Sequence, residues 1–457
     1  MNFINPNIRL QIDNLVRDVM KRSKIPGVSI TLISENHVEY LNYGVVDKRN
    51  KISPKPETCY ELGSITKSFT ALGILLLQDR NMLSIDDDVN KFVPWFTMRY
   101  PKNKENIEKK LKVRHLLYHT SGLPFNSLKY IVKCKSSNAL ELLMRHLNNI
   151  KCESFPGEKY NYATVNYDIL GYIIEVVTNQ SYEQFMKKQI IEPLGLSSTF
   201  LFADDAQYMA QGHKLFYYNP IPYNAPIFRG NKPAGYIISN SIDMGILMQI
   251  HLGLISIDIR LEKIIQKSME SDLPVTIFNK YYYAAGWNVH INKKKIFHSG
   301  STPNYSTIIV MNRQKKIGVC ILANLNSNGV DFLGESIMKI LEGKKIACYK
   351  KYRLDALERL NFVFSCISFL SLFSIMLLIL FFSLGMLPYS RNIALADCFL
   401  TIFLSLAIFS VFLILLHSIA LKKLSWKQIY VWIPFTMIMG CFIIFVLITF
   451  VMFLIIN

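Results

Sequence analysis

Apolar positions along this 457-residue chain change rhythm several times, and each change marks a unit. Over residues 1–24, Ile8, Leu10, Ile12, Leu15, Val16 and Val19 recur among charges at the helical period, which predicts an amphipathic helix. Pro26-Gly27 then turns the chain into an apolar run at 28–33, a polar Ser34-Glu35-Asn36 turn and a second run at 38–45, a hairpin pattern. A dense apolar segment from Ser64 to about Met82 predicts a buried helix. Residues 85–250 read as helix-rich, with breaks at Ser121-Gly122-Leu123-Pro124, Pro156-Gly157, Pro193-Leu194-Gly195 and the Pro/Tyr/Asn-rich stretch 217–228. Strand-like runs return at 284–291, 296–298, 306–312 and 318–324, followed by an amphipathic helix at about 330–341. Strands at both ends with helices between them predict an α/β (α+β) domain. It has one antiparallel sheet flanked by helices and a helical insert.

From residue 360 the pattern becomes apolar almost without interruption, and only Arg391, Asp397, Lys422, Lys423 and Lys427 carry charge. Stretches 362–387, 393–421 and 429–456 each exceed the roughly 20 residues a transmembrane helix needs. Tyr389, Trp426, Tyr430 and Trp432 lie at their ends, where interfacial aromatics belong. The expected organisation is a domain at 1–345, a basic linker at 346–360 and a three-helix membrane segment at 361–457.

Most of the formal charge of +18 belongs to the part before residue 360. The lysines and arginines are scattered, with no basic run interleaved with aromatics, so nucleic acid is not an expected partner. The cysteines outside the tail (Cys59, Cys134, Cys152, Cys320 and Cys348) are odd in number and lack metal-ligand spacing. Five free thiols are the simpler reading, with a Cys134–Cys152 bridge the alternative. No metal and no cofactor are expected. Asp86-Asp87-Asp88 reads as a helix or turn opening at the surface. Residues 1–24 lack the apolar run of a secretory signal.

The chemistry concentrates at Gly63-Ser64-Ile65-Thr66-Lys67, where the predicted helix begins. Residues i and i+3 share a helix face, so the Lys67 amine can reach the Ser64 hydroxyl. A serine becomes a useful nucleophile when a neighbouring base takes its proton, and a buried lysine can be that base. Unpaired N–H groups at the helix start suit a developing oxyanion. The spacing alone is weak, because Ser336-Ile337-Met338-Lys339 repeats it inside an amphipathic helix that reads as surface.

Company separates the two. Leu116-Leu117-Tyr118-His119-Thr120-Ser121-Gly122-Leu123-Pro124, Phe155-Pro156-Gly157, Tyr162 with Tyr167-Asp168-Ile169-Leu170-Gly171, Glu192-Pro193-Leu194-Gly195-Leu196, Pro233-Ala234-Gly235 and His298-Ser299-Gly300 follow in order. With these landmarks residues 8–342 resemble the serine β-lactamase and penicillin-binding-protein superfamily. The branch is the one related to class C β-lactamases, D-aminopeptidases, DD-carboxypeptidases and class C-like esterases. The resemblance implies a β-lactamase/transpeptidase-like fold with Ser64, Lys67 and Tyr162 as catalytic residues. It implies that His298, Ser299, Gly300, Ser301 and Thr164 bind substrate, with the Ser64 and Ser301 amides as oxyanion hole. Tyr162 stands where relatives keep Tyr-x-Asn, but the third position is Thr164, a poorer substitute for an amide donor. His298 stands where many relatives carry lysine, which weakens a fixed positive charge and tilts the reading towards esterase, amidase or aminopeptidase chemistry. His119 is expected to organise a loop rather than pair with Ser121.

The implied function is a membrane-anchored serine hydrolase forming a Ser64 acyl-enzyme on amide or ester bonds of a small-molecule or peptide substrate, D-amino-acid-containing peptides foremost. A β-lactamase or carboxylesterase, and a non-hydrolytic ligand-binding or sensor protein, stay open. A hydrolase followed by three membrane helices is similar to membrane-bound peptidases that mature prodrug peptides by removing an acylated D-amino-acid cap. The lipid bilayer is thus a second expected partner, and the cell membrane, multi-pass, the expected location. The positive loops favour the domain inside and the resemblance favours the outer face, so the side stays open with the outer face preferred.

Overall fold

The computed structural model describes residues 5–346, apart from 36, 48, 102–109, 217–218, 271–275 and 279, together with scattered residues between 366 and 449. The chain divides into two compact units, residues 1–213 with 222–352, and residues 214–221 with 353–457.

In the first unit the two ends of the sequence meet in one eight-stranded antiparallel sheet. Its strands are β1 (Gly27–Ser34), β2 (His37–Gly44), β3 (Thr276–Phe278), β4 (Tyr281–Tyr283), β5 (Asn288–His290), β6 (Lys295–Ser301), β7 (Ser306–Asn312) and β8 (Ile317–Ala323), in the spatial order β2-β1-β8-β7-β6-β5-β4-β3. Val28 of β1 lies opposite Ala323 of β8, so the first strand is inserted beside the last. β8 is buried along its whole length because it is central and covered on both faces.

Helix α1 (Pro6–Ser23) opens with Asn5 capping Asn7 and closes at Lys24 in the left-handed conformation. Its buried stripe Ile12, Val16 and Val19 follows the helical period and faces the sheet unit's closing helix at Gly329–Leu341. Helix α2 (Thr66–Asp79) has no polar face: Thr66 through Leu77 are all buried, which marks it as the central helix between sheet and insert. Helix α3 (Val165–Thr178) and the four-residue α4 (Lys232–Gly235) pack against it from the insert side.

Two expectations need correction. The run 284–291 is not one strand. Gly286, with φ +83, turns the chain between β4 and β5, and a Cβ there would lie 2.5 Å from Ser68 Cα, so the turn is pressed against the start of α2. Ser336 is not at the surface but buried at 3% exposure, on the same helix face as Gly329, which packs against Val19 and Ser23 of α1. Cys59, Cys134, Cys152 and Cys320 are free thiols. Asp86, Asp87 and Asp88 pair with Arg114, Lys91 and Lys110 at the surface.

The predicted spans at 362–387, 393–421 and 429–456 lie almost wholly outside the described residues. Among the described residues no helix is long and apolar enough to cross a membrane. In the second unit Phe369, Leu370, Phe373, Met376, Leu380 and Leu384 are exposed apolar residues, most of them three or four apart.

Candidate active site

Gly63 begins the site. Its φ of +54 bends the chain into a short 3-10 turn (Gly63–Ile65) that feeds α2, and a Cβ at this position would meet the Ser301 amide nitrogen at 2.3 Å. Gly300 makes the reciprocal approach from β6, where a Cβ would lie 2.0 Å from the Leu62 carbonyl oxygen. Thr307 of β7 fixes the same carbonyl by donating to it at 2.7 Å. Two glycines therefore let the start of α2 press against the end of β6. The backbone at Ser64 is brought beside that at Ser301.

On this platform Ser64 Oγ accepts a hydrogen bond from Lys67 Nζ at 3.0 Å and another from Tyr162 Oη at 3.0 Å. Lys67 is fully buried and donates a further bond to the Ala234 carbonyl at 2.7 Å. Lys67 Nζ also lies 5.2 Å from the ring centre of Tyr162 and 5.8 Å from that of Tyr167. The Pro233-Ala234-Gly235 landmark thus has a physical task. Thr70 donates to the Pro233 carbonyl at 2.6 Å, and Asn231 donates to Asp168 Oδ2 at 2.7 Å, tying α4 to α2 and α3. Burial raises the Asp168 carboxyl well above its usual range, against the opposing pull of Asn231 and Lys67.

His119 stands behind Tyr162, with ring centres 4.2 Å apart. Its Nδ1 faces the Asn166 amide at 2.9 Å and the Ala163 N–H at 3.4 Å, so Nδ1 is the acceptor and Nε2 carries the proton. Burial first, and Lys67 second, push His119 well below 6.5, and the ring is neutral. Ser121 donates to Asn166 and not to His119, so no second dyad forms. The expected loop role holds: the Asn161 N–H bonds the His119 carbonyl at 2.8 Å and delivers the next residue, Tyr162, to the site.

His298 on β6 is buried and neutral, pushed down to about 3 by burial and by Lys67. Its Nδ1–H donates to the Ser299 carbonyl at 2.7 Å, which leaves Nε2 to accept from Tyr283 Oη at 3.0 Å. Tyr283, absent from the sequence-derived set, packs edge-on against His119 at 4.6 Å and closes an aromatic wall with Tyr160 and Tyr162. Thr164 caps the start of α3 through its backbone position only. Its hydroxyl makes no hydrogen bond among the described residues.

The structure therefore gathers Ser64, Lys67 and Tyr162, sets Ser301 and Gly300 against them, and places His298 on the same strand. It leaves Thr164 unengaged. A cavity of about 1100 Å³ lies beside the end of β6, lined by Glu61, Tyr208, Asn304 and Tyr305 among others. No group of three or more possible metal ligands occurs among the described residues.

Comparisons with known proteins fit this geometry. The family model described as Beta-lactamase matches residues 12–338. Protein flp of Staphylococcus aureus strain MRSA252 is 31% identical over 348 residues, covering 75% of this chain and 67% of that protein. Protein flp of strain N315 is 29% identical over 441 residues, covering 93% of this chain and 85% of that protein. Penicillin-binding protein 4* of Bacillus subtilis is 27% identical over 205 residues, covering 43% of this chain and 42% of that protein. Among solved structures, the octameric penicillin-binding protein homologue from Pyrococcus abyssi superposes with a TM-score of 0.63 at 28% identity, over 73% of this chain and 77% of that one. A class C beta-lactamase gives a TM-score of 0.63 at 21% identity over 76% of this chain and 99% of that one, which speaks for the fold.

Proposed function

Because the chain belongs to the beta-lactamase family of serine hydrolases, we propose that it cleaves amide or ester bonds through an acyl-enzyme on Ser64. The carrying observation is that one hydroxyl, Ser64 Oγ, lies 3.0 Å from both Lys67 Nζ and Tyr162 Oη. Ser64 Oγ attacks the substrate carbonyl while its proton passes into the Lys67–Tyr162 pair. The carbonyl oxygen, now anionic, faces the Ser64 and Ser301 N–H groups. Collapse of this intermediate breaks the bond to the leaving group, which takes the proton back from Tyr162. Water, deprotonated by the same pair, then attacks the ester, and Ser64 regains its hydrogen.

The neutral His298, held by Tyr283, supplies no fixed cation to grip a free carboxylate. This supports uncharged or amine-bearing substrates such as D-amino-acid amides and acylated D-amino-acid peptides over penicillins. The membrane reading of residues 361–457 belongs to the proposal as well. Three long apolar stretches and the exposed apolar stripe at Phe369, Phe373, Met376, Leu380 and Leu384 support it. A bilayer anchor would bring an acylated substrate to the site from the lipid, and the outer face is preferred because such peptides are met there.

Labelling with a fluorophosphonate and a fluorescent penicillin, on the wild type, Ser64→Ala and Ser336→Ala, tests this reading. Loss of fluorophosphonate labelling in Ser64→Ala alone supports it, and labelling that survives Ser64→Ala sinks it. A panel of D-amino amides, short esters and β-lactams ranks substrates, and protease protection in membrane vesicles assigns the side. The unengaged Thr164 hydroxyl favours a second reading, stable acylation without turnover. A fluorescent adduct that persists for hours on the wild type marks that case.

A further inference from the structure

Tyr162 makes one side-chain hydrogen bond among the described residues, to Ser64 Oγ at 3.0 Å. A phenol that must hand on a proton needs a firmer seat than that, and three contacts from His119 provide it. The His119 carbonyl accepts from the Asn161 N–H at 2.8 Å, and His119 Nδ1 accepts from the Ala163 N–H at 3.4 Å. One residue thus grips the backbone on both sides of Tyr162. The imidazole also backs the Tyr162 ring, with centres 4.2 Å apart. His119 takes up a left-handed backbone conformation to do this, φ +54, which a residue other than glycine adopts at an energetic cost.

The imidazole is itself held. Asn166, the second residue of α3, faces Nδ1 with its amide nitrogen at 2.9 Å, and Ser121 Oγ donates to Asn166 Oδ1 at 2.7 Å. Ser121 Oγ accepts from the Leu123 N–H at 3.2 Å, so its single hydrogen goes to the amide. A backbone N–H cannot be turned round, and Ala163 therefore fixes Nδ1 as an acceptor. That sets Asn166 Nδ2 towards His119 and Oδ1 towards Ser121. All three side chains are fully buried, so these bonds meet little competition from solvent.

We propose that Ser121, Asn166 and His119 form a positioning relay for Tyr162, in which Asn166 holds the imidazole in place behind the phenol; this rests on the Ser64 acyl-enzyme reading. The three act through Tyr162 and not on the substrate. A leucine at 166 has nearly the shape of asparagine and none of its bonds. Nδ1 then keeps only the long Ala163 bond, and the imidazole can turn about its Cβ–Cγ bond. The ring behind Tyr162 loses its fixed place. Since a misplacement of about 1 Å costs about 100-fold in rate, a shift of about half that costs roughly tenfold.

The test uses the full chain in detergent and reads the limiting rate and the half-saturating concentration of fluorophosphonate labelling, with thermal melting alongside. Asn166→Leu is compared with the pair Ser121→Ala/Asn166→Leu, which leaves no orphaned hydroxyl in the core and is expected to keep the fold. Each is made with Tyr162 and with Tyr162→Phe, and Ser64→Ala is the blank. With Tyr162 present, both are expected to lower the limiting rate about tenfold while the half-saturating concentration stays within about twofold of wild type. In the Tyr162→Phe background they are expected to change it less than about twofold, because the relay has no other target. An equal loss in both backgrounds marks a general loosening of the site and overturns the proposal. A limiting rate within about twofold of wild type for both variants overturns it as well. Labelling that persists in Ser64→Ala, or a Tyr162→Phe rate equal to wild type, is a separate failure, of the acyl-enzyme reading itself, and the relay falls with it.

Discussion

Substituting Gly300 by alanine tests whether the contact between β6 and the start of α2 builds the site. The new methyl carbon would stand 2.0 Å from the Leu62 carbonyl oxygen and 2.3 Å from Thr307 Oγ1. A relaxed carbon–oxygen contact needs about 3.3 Å, so strand and turn must part by about 1.3 Å. β6 is held by β5 and β7 on its two edges, so the relief falls on residues 62–64 and on the Thr307–Leu62 bond. A shift of about 1 Å between Ser64 and its oxyanion donors lowers the rate on the order of 100-fold, about 2.7 kcal/mol of barrier. Overpacking costs about 1–3 kcal/mol of stability, which leaves a folded protein with a lower melting temperature. The assay is the fluorophosphonate labelling rate, with circular dichroism melting in parallel. Gly195→Ala is the control: φ there is +71 and nothing lies within 4 Å of the added carbon, so it strains the backbone away from the site. Its expected outcome is some loss of stability at an unchanged labelling rate. Labelling of Gly300→Ala within threefold of wild type would refute the argument that this close approach assembles the oxyanion edge.

Glu183→Gln removes the anion between Arg229 and Lys232, whose donors lie 2.9 Å from Glu183 Oε1, and should cost about 3 kcal/mol in urea unfolding because two cations are left facing each other. Burial opposes ionisation of Glu183, yet Arg229 and Lys232 hold it below 4.5; its contribution is therefore present above that value and lost as the pH falls through the folded-state value, a dependence the glutamine variant should lack. His298 and His251 are buried neutral and pushed down to about 3 and about 4, chiefly by burial, whereas their unfolded rings take a proton near 6.5. Stability should thus fall as the pH drops below about 6.5, by up to about 1.4 kcal/mol per pH unit for each ring, and urea midpoints that do not change between pH 7 and 5 would contradict this.

The sequence carried the elements whose physics is local and hid the ones that depend on assembly. The first amphipathic helix, the hairpin and the apolar run after Ser64 are each decided by neighbours in the chain, and among the described residues they appear as Pro6–Ser23, as Gly27–Ser34 paired with His37–Gly44, and as Thr66–Asp79. The Ser64–Lys67 contact is equally local, one helical turn, and the landmarks told it apart from Ser336–Lys339. Tyr283 left no mark, because its value lies in reaching His298 across the intervening strand β5. Ser336 was misjudged for a similar reason: an amphipathic period does not say how wide the covered face will be, and α1 covers the face turned away from β7 and β8. Pro233-Ala234-Gly235 was visible as a landmark but mute as chemistry, since a backbone carbonyl has no residue type to betray it.

This last case changes how the site should be read. Lys67 is held from two sides, by a side-chain hydroxyl in its own helix turn and by the Ala234 carbonyl 167 positions later. The segment supplying that carbonyl has anchors of its own: Asn231 to Asp168, Thr70 to the Pro233 carbonyl, and Lys232 with Arg229 to Glu183. A buried ammonium or amine needs such partners, because an unpaired one costs several kcal/mol. The insert therefore does more than roof the cleft: its polar anchors fix where the Lys67 amine points, and so whether Ser64 can lose its proton. Substitutions at Glu183 or Asp168 that leave the fold intact should slow acylation more than they weaken binding of the fluorophosphonate. A rise in its half-saturating concentration at an unchanged limiting rate would place those anchors in the substrate cleft and not behind the base.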